Sequence, residues 1–226
     1  MATRAIAFWA TFLWPFLMTT PSISGSFPTP EGLRPCAPGD PVATIEARVA
    51  SKLGGEFLNC FQSGRRIATP SAAKRVWMPV EYAFAIALQG QSYTLADLDN
   101  LLSKVKDQWS GFDPLSKQFK DNYTAKLNEL LRCSGLNKRA TIDSVKPVLV
   151  AIAPIHDKFY VVTSIRIYAF RSNGVNVETK KVNADAVVLR GSRLIRLTIQ
   201  RTLSEPTDVT EVQAEIDKWA KMVAQG

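Results

Sequence analysis

The only histidine, His156, stands beside Asp157. A catalytic histidine needs an acid at one ring nitrogen and a nucleophile at the other, and a His-Asp dipeptide supplies neither geometry. The pair reads as a solvated turn. Carboxylates at close helical spacing, Asp97 with Asp99 and Glu211 with Glu215, read as solvated faces or caps. A glycosidase pair can come from residues far apart in sequence, so spacing alone does not locate one. Gly54-Gly55 and Gly90 fall in no phosphate-cradling or dinucleotide pattern. No catalytic residue and no cofactor is assigned.

Cys36, Cys60 and Cys133 are the three cysteines. With no Cys-x-x-Cys and one histidine there is no metal-ligand set. In an oxidising compartment two of the three are expected to pair. The sequence leaves three pairings open. Cys60 and Cys133 lie within structured segments and Cys36 in a proline-rich stretch, which favours Cys60 with Cys133. The remaining thiol has no histidine near it to activate it.

The basic residues of the second half carry more information. Side chains alternate across a strand, so Leu194, Arg196, Thr198 and Gln200 share one face while Ile195, Leu197 and Ile199 share the other. Tyr160, Ser164, Arg166 and Tyr168 alternate in the same way with Phe159, Val161, Ile165 and Ile167. Two neighbouring strands thus present arginine, tyrosine, threonine and glutamine on a shared polar face, with Arg190 and Arg193 at the turn and Lys180-Lys181 alongside. Such a face suits an anionic partner. Arg166, Tyr168, Arg190, Arg193, Arg196 and Gln200 are the candidate binding residues.

These strands need a frame. Asp40-Pro41 is an N-cap followed by proline at the first helical position, opening a helix that carries Val42, Ile45, Val49 and Leu53 and stops at Gly54-Gly55. Residues 56–75 mix apolar and turn signals without a period. Tyr82, Phe84, Ile86 and Leu88 alternate with alanines, a strand with one bulky and one small face. Thr94 opens a second helix with Leu95, Leu98, Leu102, Val105 and Trp109 on one stripe. Asp113-Pro114 opens a third, with Phe119, Tyr123, Leu127 and Leu130 inward. Strands follow over Val148–Ile152, Phe159–Ile167, Val175–Leu189 (irregular around Lys180-Lys181) and Leu194–Leu203. Asn173-Gly174 is the hairpin turn between the second and third. Asp208 and Glu211 form a capping box for a last helix, whose face is Val209, Val212, Ile216, Trp219 and Val223. The fold class is α+β: a helical N-terminal part, a four-stranded antiparallel meander, and a C-terminal helix packed on the sheet.

Charge and address complete the reading. Arg4 is the only charge before Glu31, and Ala5 to Met18 is a charge-free run with Pro15 inside it, shorter than the roughly 20 apolar residues of a stable span. Small residues follow at Ser22 and Ser24. Residues 1–24 are therefore expected to be a removable signal peptide. Residues 25–40, with four prolines and three glycines, form an extended arm, and residues 41–226 one α+β domain, periplasmic or secreted. The net charge of +8 is concentrated: residues 137–203 hold 12 basic and 4 acidic side chains. An exported protein has little call to bind nucleic acid. An anionic envelope component is the expected partner of a non-enzymatic binding or assembly protein. The alternative is a hydrolase of cell-wall or extracellular polymer using carboxylates that the sequence does not single out.

One resemblance bears on this. Lys158-Phe159-Tyr160-Val161-Val162 leads to Ile165-Arg166-Ile167-Tyr168. The run from Ala184 through Arg190-Gly191-Ser192-Arg193 to Leu197 follows, and then a helix with Trp219. This order resembles the Mog1/PsbP-like α/β/α sandwich family over about the last 70 residues. The resemblance implies a curved antiparallel sheet with a terminal helix and a non-catalytic binding role.

Overall fold

A computed structural model describes residues 27–52, 54–68, 77–79, 81–90, 92–110, 117–133, 140–172 and 175–226. The expected signal peptide, the Asp113-Pro114 cap and the Asn173-Gly174 turn lie outside these residues. In chain order the elements are β1 (Leu33–Pro35), α1 (Pro41–Lys52), β2 (Gly55–Ser63), β3 (Arg66–Ala68), β4 (Trp77–Pro79), β5 (Glu81–Leu88), α2 (Leu95–Ser110), α3 (Lys117–Cys133), β6 (Ala140–Ile152), β7 (Phe159–Ser172), β8 (Val175–Arg190), β9 (Arg193–Thr202) and α4 (Thr207–Gln225).

The fold is α+β with an antiparallel sheet, and that sheet is larger than the sequence suggests. Its seven strands run β1-β2-β5-β9-β8-β7-β6. The meander β6 to β9 is present, but β5 continues it beyond β9, from Glu81↔Arg201 to Ala87↔Ile195. β2 and then β1 extend it further. β8 pairs with β7 without a break from Val175 to Val188, so the irregularity expected at Lys180-Lys181 is absent. The irregular positions lie in β2 between Phe57 and Asn59 and twice in β6.

Each face of the sheet has its own cover. Ala83, Ala85, Val182, Ala184, Ala186, Val188, Ile195, Leu197 and Ile199 meet α4 through Val212, Ile216, Trp219, Ala220 and Val223, in one buried cluster. The alanines of β8 let this helix approach closely. On the opposite face, Leu98 and Leu102 of α2 pack on Tyr160, Val162, Leu189 and Leu194. Ala50 of α1 packs on Phe84 and Ile86. α3 lies against β6 and α1. Among the described residues two ion pairs tie α1 to α3: Arg48 with Glu129, and Lys126 with Glu46, the latter at 2.5 Å.

Two caps follow the sequence and one does not. Asp40 Oδ1 accepts from the Val42 and Ala43 amides at 2.9 and 3.1 Å. Thr94 Oγ1 accepts from the Asp97 amide, whose carboxylate answers the Thr94 amide at 2.8 Å. At α4 the expected capping box is not formed. The helix starts two residues earlier, at Thr207, Asp208 turns back to accept from the Ser204 and Glu205 amides at 2.7 and 2.8 Å, and Glu211 is committed to Arg201.

The arm at residues 25–40 is also more ordered than its prolines suggest. Leu33, Arg34 and Pro35 pair with Ser63, Gln62 and Phe61, at a sheet edge, where a missing proline N–H costs no ladder bond. This register carries Cys36 to Cys60, with the Cys36 amide donating to the Cys60 carbonyl at 2.9 Å. The disulfide is Cys36–Cys60, which replaces the Cys60–Cys133 pairing expected above. Position inside a regular element was the wrong criterion, because strand pairing, not burial, brings the sulfurs together. Closing the 24-residue separation is expected to contribute about 2–4 kcal/mol. Cys36→Ser with Cys60→Ser should lower the midpoint of urea unfolding accordingly, and denatured oxidised protein should titrate one thiol. A midpoint unmoved by the double change would mean that the β1 pairing alone holds the arm.

Candidate functional site

The face of the sheet opposite α4 is apolar under α2 and α1 but polar between them and β6. Its centre is Asp185 of β8. Asp185 Oδ1 accepts from Arg196 Nε at 3.0 Å, Arg196 Nη2 at 2.7 Å and Thr198 Oγ1 at 2.6 Å. The Asp185 and Arg196 side chains remain 19% and 22% exposed, so solvent reaches the pair. Burial alone would raise the Asp185 pKa, but Arg196 and Arg166, with the hydrogen bonds from Thr198 and Arg196, hold it below the ordinary carboxylate range. Tyr160 lies beside this pair, and burial together with Asp185 pushes its phenol up to about 12.

One strand pair away, Arg166 of β7 donates to the Tyr123 hydroxyl of α3 at 3.1 Å. Tyr168, two residues further along β7, is pushed up to about 12, chiefly by burial. Directly across the ladder from Arg166 is Lys181. Burial lowers the Lys181 pKa first, and Lys126 and Arg166 lower it further against the opposing pull of Glu46. Asn183, next on the same face of β8, is fully buried, and its Oδ1 has no hydrogen-bond partner among the described residues.

The candidate binding residues are therefore divided between two faces. Arg166, Tyr168, Arg196 and Gln200 share the face opposite α4, as the alternation predicts, and Tyr123 of α3 meets Arg166 and Tyr168 there. The expected solvated face is instead half-buried at Arg166, Tyr168, Arg196 and Gln200. Arg190 and Arg193 are on the α4 side: Arg190 approaches the chain end at Gly226, and Arg193 pairs with Glu56 at 2.7 Å. Asp185, Glu46, Tyr123, Lys126, Lys181 and Asn183 belong to the same polar cluster and were not singled out as site residues from sequence. Tyr123 was placed inward on its helix, and Lys181 beside the polar face.

Other groups are engaged elsewhere. His156 and Asp157 form an exposed pair at 3.0 Å. Cys36, Cys60 and Asp40 cluster closely enough to suggest a metal site, but the sulfurs are bonded to each other and Asp40 caps α1. Among the described residues no helix is long and apolar enough to cross a membrane.

Beneath the start of α4, Arg201 donates to Glu81 at 3.0 Å, Glu211 at 2.8 Å and Glu215 at 2.5 Å. The Glu211–Glu215 pair is thus a clamp on a buried arginine rather than a solvated face. Burial pushes the Glu81 carboxyl up to about 7, with Glu215 adding to the rise and Arg201 opposing it. A carboxyl whose folded pKa is raised binds its proton more tightly in the native state. Its stabilising effect is therefore complete below the unfolded value near 4.5 and is lost as pH rises through about 7. Glu81→Gln keeps an acceptor for Arg201 and offers Glu215 a donor. It should stabilise the protein by about 1–3 kcal/mol at pH 8 and flatten the melting temperature between pH 5 and pH 8. A parallel shift at all pH values would place the titration elsewhere.

No protein-family model matches this chain, and no curated protein matches it.

Proposed function

We propose that the protein is an exported, non-enzymatic binding protein that takes an anionic ligand, or an anionic group of an envelope partner, at the polar cluster where helices α1 and α3 meet the sheet. The observation that carries this reading is Lys181. It lies across the ladder from Arg166, burial together with Lys126 and Arg166 lowers its pKa, and Glu46, the carboxylate that opposes them, is already paired with Lys126. In this cluster Arg166, Arg196, Lys126 and Lys181 stand against Asp185 and Glu46. A desolvated surplus of cations is costly without a ligand and attractive to an anion. The binding role also agrees with what the Mog1/PsbP-like resemblance implies. The carboxylates of the cluster are each tied to a cation, which does not favour the hydrolase alternative.

The test uses oxalate, pyrophosphate and a sulfated oligosaccharide, titrated calorimetrically into the protein. At least one should bind, with affinity falling as salt screens the charges. Lys181→Met should weaken that binding at least tenfold, about 1.4 kcal/mol, and leave the ligand-free protein no less stable, since a repelled charge has been removed. Lys158→Met, at an exposed turn, should change neither. Binding by Lys181→Met equal to wild type would overturn the proposal, as would no binding of any of the three anions.

A further inference from the structure

A guanidinium carries a single positive charge, and the one beneath the start of α4 meets several carboxylates. We propose that Glu81 and Glu215 hold one proton between them and that its loss releases the first two turns of α4 from the sheet, so that this helix end is a pH-sensitive latch. The latch is separate from the anion-binding cluster above.

Glu81 Oε1 and Glu215 Oε1 both accept from the same nitrogen, Arg201 Nη2, at 3.0 and 2.5 Å. The two carboxyl groups also lie within hydrogen-bond reach of each other. Ionised carboxylates only accept, so a hydrogen bond between them requires that one carry a proton. Glu81 stands directly across the ladder from Arg201. α4 faces them with Asp208, Glu211 and Glu215, of which Asp208 and Glu211 lie 3.9 and 2.8 Å from Arg201 Nη1. On the flanking strands, β2 brings Gln62 and Ser63, both buried and uncharged, and β8 places Val182 across from Arg201. Among the described residues four carboxylates therefore converge on one guanidinium. The Glu81 and Arg201 side chains are only 9% and 10% exposed, so water does little to relieve the surplus of negative charge, and a proton does.

The part of α4 that depends on this clamp is its first two turns. Of residues 207–214 only Val212 is fully buried, whereas Ile216, Trp219, Ala220 and Val223 anchor the rest of the helix. With the proton in place, Glu81 and Glu215 jointly hold α4 against β9 through Arg201. Burial first, and then Glu215, pushes the Glu81 carboxyl up to about 7 against the opposing pull of Arg201. As pH rises through that value the proton goes to solvent, and two anions are left on one nitrogen. The helix end with the fewer apolar contacts gives way, baring Val212 together with Ala83 and Ile199 of the same buried cluster.

Hydrogen–deuterium exchange at pH 6 and pH 8.5, with labelling times corrected for intrinsic exchange, reads this release segment by segment. Amides of residues 211–215 should lose protection by roughly tenfold between the two, while those of residues 217–225 and of β8 keep theirs. Glu81→Gln, and separately Glu215→Gln, should hold residues 211–215 protected at both pH values. Glu211→Gln removes the more exposed carboxylate on the other nitrogen and should retain the wild-type pH dependence. Equal protection at both pH values in wild type would overturn the inference. So would a loss shared by the whole chain, which is global destabilisation and not a latch. The wild-type loss persisting in either Glu81→Gln or Glu215→Gln would overturn it as well.

Discussion

Trp219→Ala is expected to cost about 3–5 kcal/mol, a large share of the 5–15 kcal/mol that typically holds a domain folded. Trp219 is fully buried. Its ring meets Phe27 and Phe61 edge-on, with centroids 6.1 and 5.8 Å away, and its Nε1 donates to the Pro28 carbonyl at 2.8 Å. Ala85, Ala184 and Ala186 line the same cluster and are too short to fill the space an indole leaves. Trp219→Phe keeps most of the apolar contact and loses the hydrogen bond, so about 1–2 kcal/mol is expected. The alanine variant should also release the arm, since Phe27 and Pro28 lose their partner, and proteolysis near residues 27–31 should accelerate. A urea midpoint equal to wild type would show that α4 is only loosely seated on the sheet.

The elements read correctly from sequence are those whose packing imposes a single period. α1 and α4 each bury one stripe, and β7 and β9 each have an apolar face under α4. β5 was legible because its two faces meet different neighbours: Ala83 and Ala85 belong to the cluster on the α4 side, Phe84 and Ile86 to the one under α1. The first two strands lacked such a signal. β1 is three residues long with a proline in it, and its identity comes from the edge of β2 rather than from its own residues. β2 shifts register between Phe57 and Asn59, which breaks the alternation a reader would count. The α4 capping box failed for another reason. Arg201, buried on the α4 side of β9, draws Glu211 toward itself, and a bond between two opposite charges outweighs a carboxylate's bond to a backbone amide.

The candidate site was half legible. Alternation placed Arg166, Tyr168, Arg196 and Gln200 on one face, which is a local property. What covers that face is not local, and a polar face was taken for a solvated one. Two signals pointed the other way. Glu46 sits one residue from Ile45 on the inward side of α1, and both are buried. Asp185 is one of only four acids in residues 137–203, on the same strand face as Lys181 and across the ladder from Thr198. A lone carboxylate on a basic face marks the place where that face folds in on itself.

That carboxylate carries the last expectation. Asp185→Ala should cost about 3–5 kcal/mol, because it strips the anion from a largely covered pair and leaves the Arg196 guanidinium, with Arg166 near it, uncompensated. The Thr198 hydroxyl loses its acceptor as well. Asp185→Asn keeps an oxygen for Thr198 and Arg196 and should cost less. The pH dependence has a definite sign. A carboxyl with a depressed folded pKa stabilises the native state above its unfolded value near 3.9 and loses that effect only as pH falls through the lower folded value. The gap between wild type and Asp185→Ala should therefore be full at neutral pH and narrow in strong acid. Sulfate or oxalate, entering the space the carboxylate vacates, should recover part of the stability of the alanine variant and leave wild type less affected. An alanine variant that melts like wild type at neutral pH would mean that water already screens Arg196. The cluster would then hold its cations at no cost, and the electrostatic pressure for an anionic ligand would be gone.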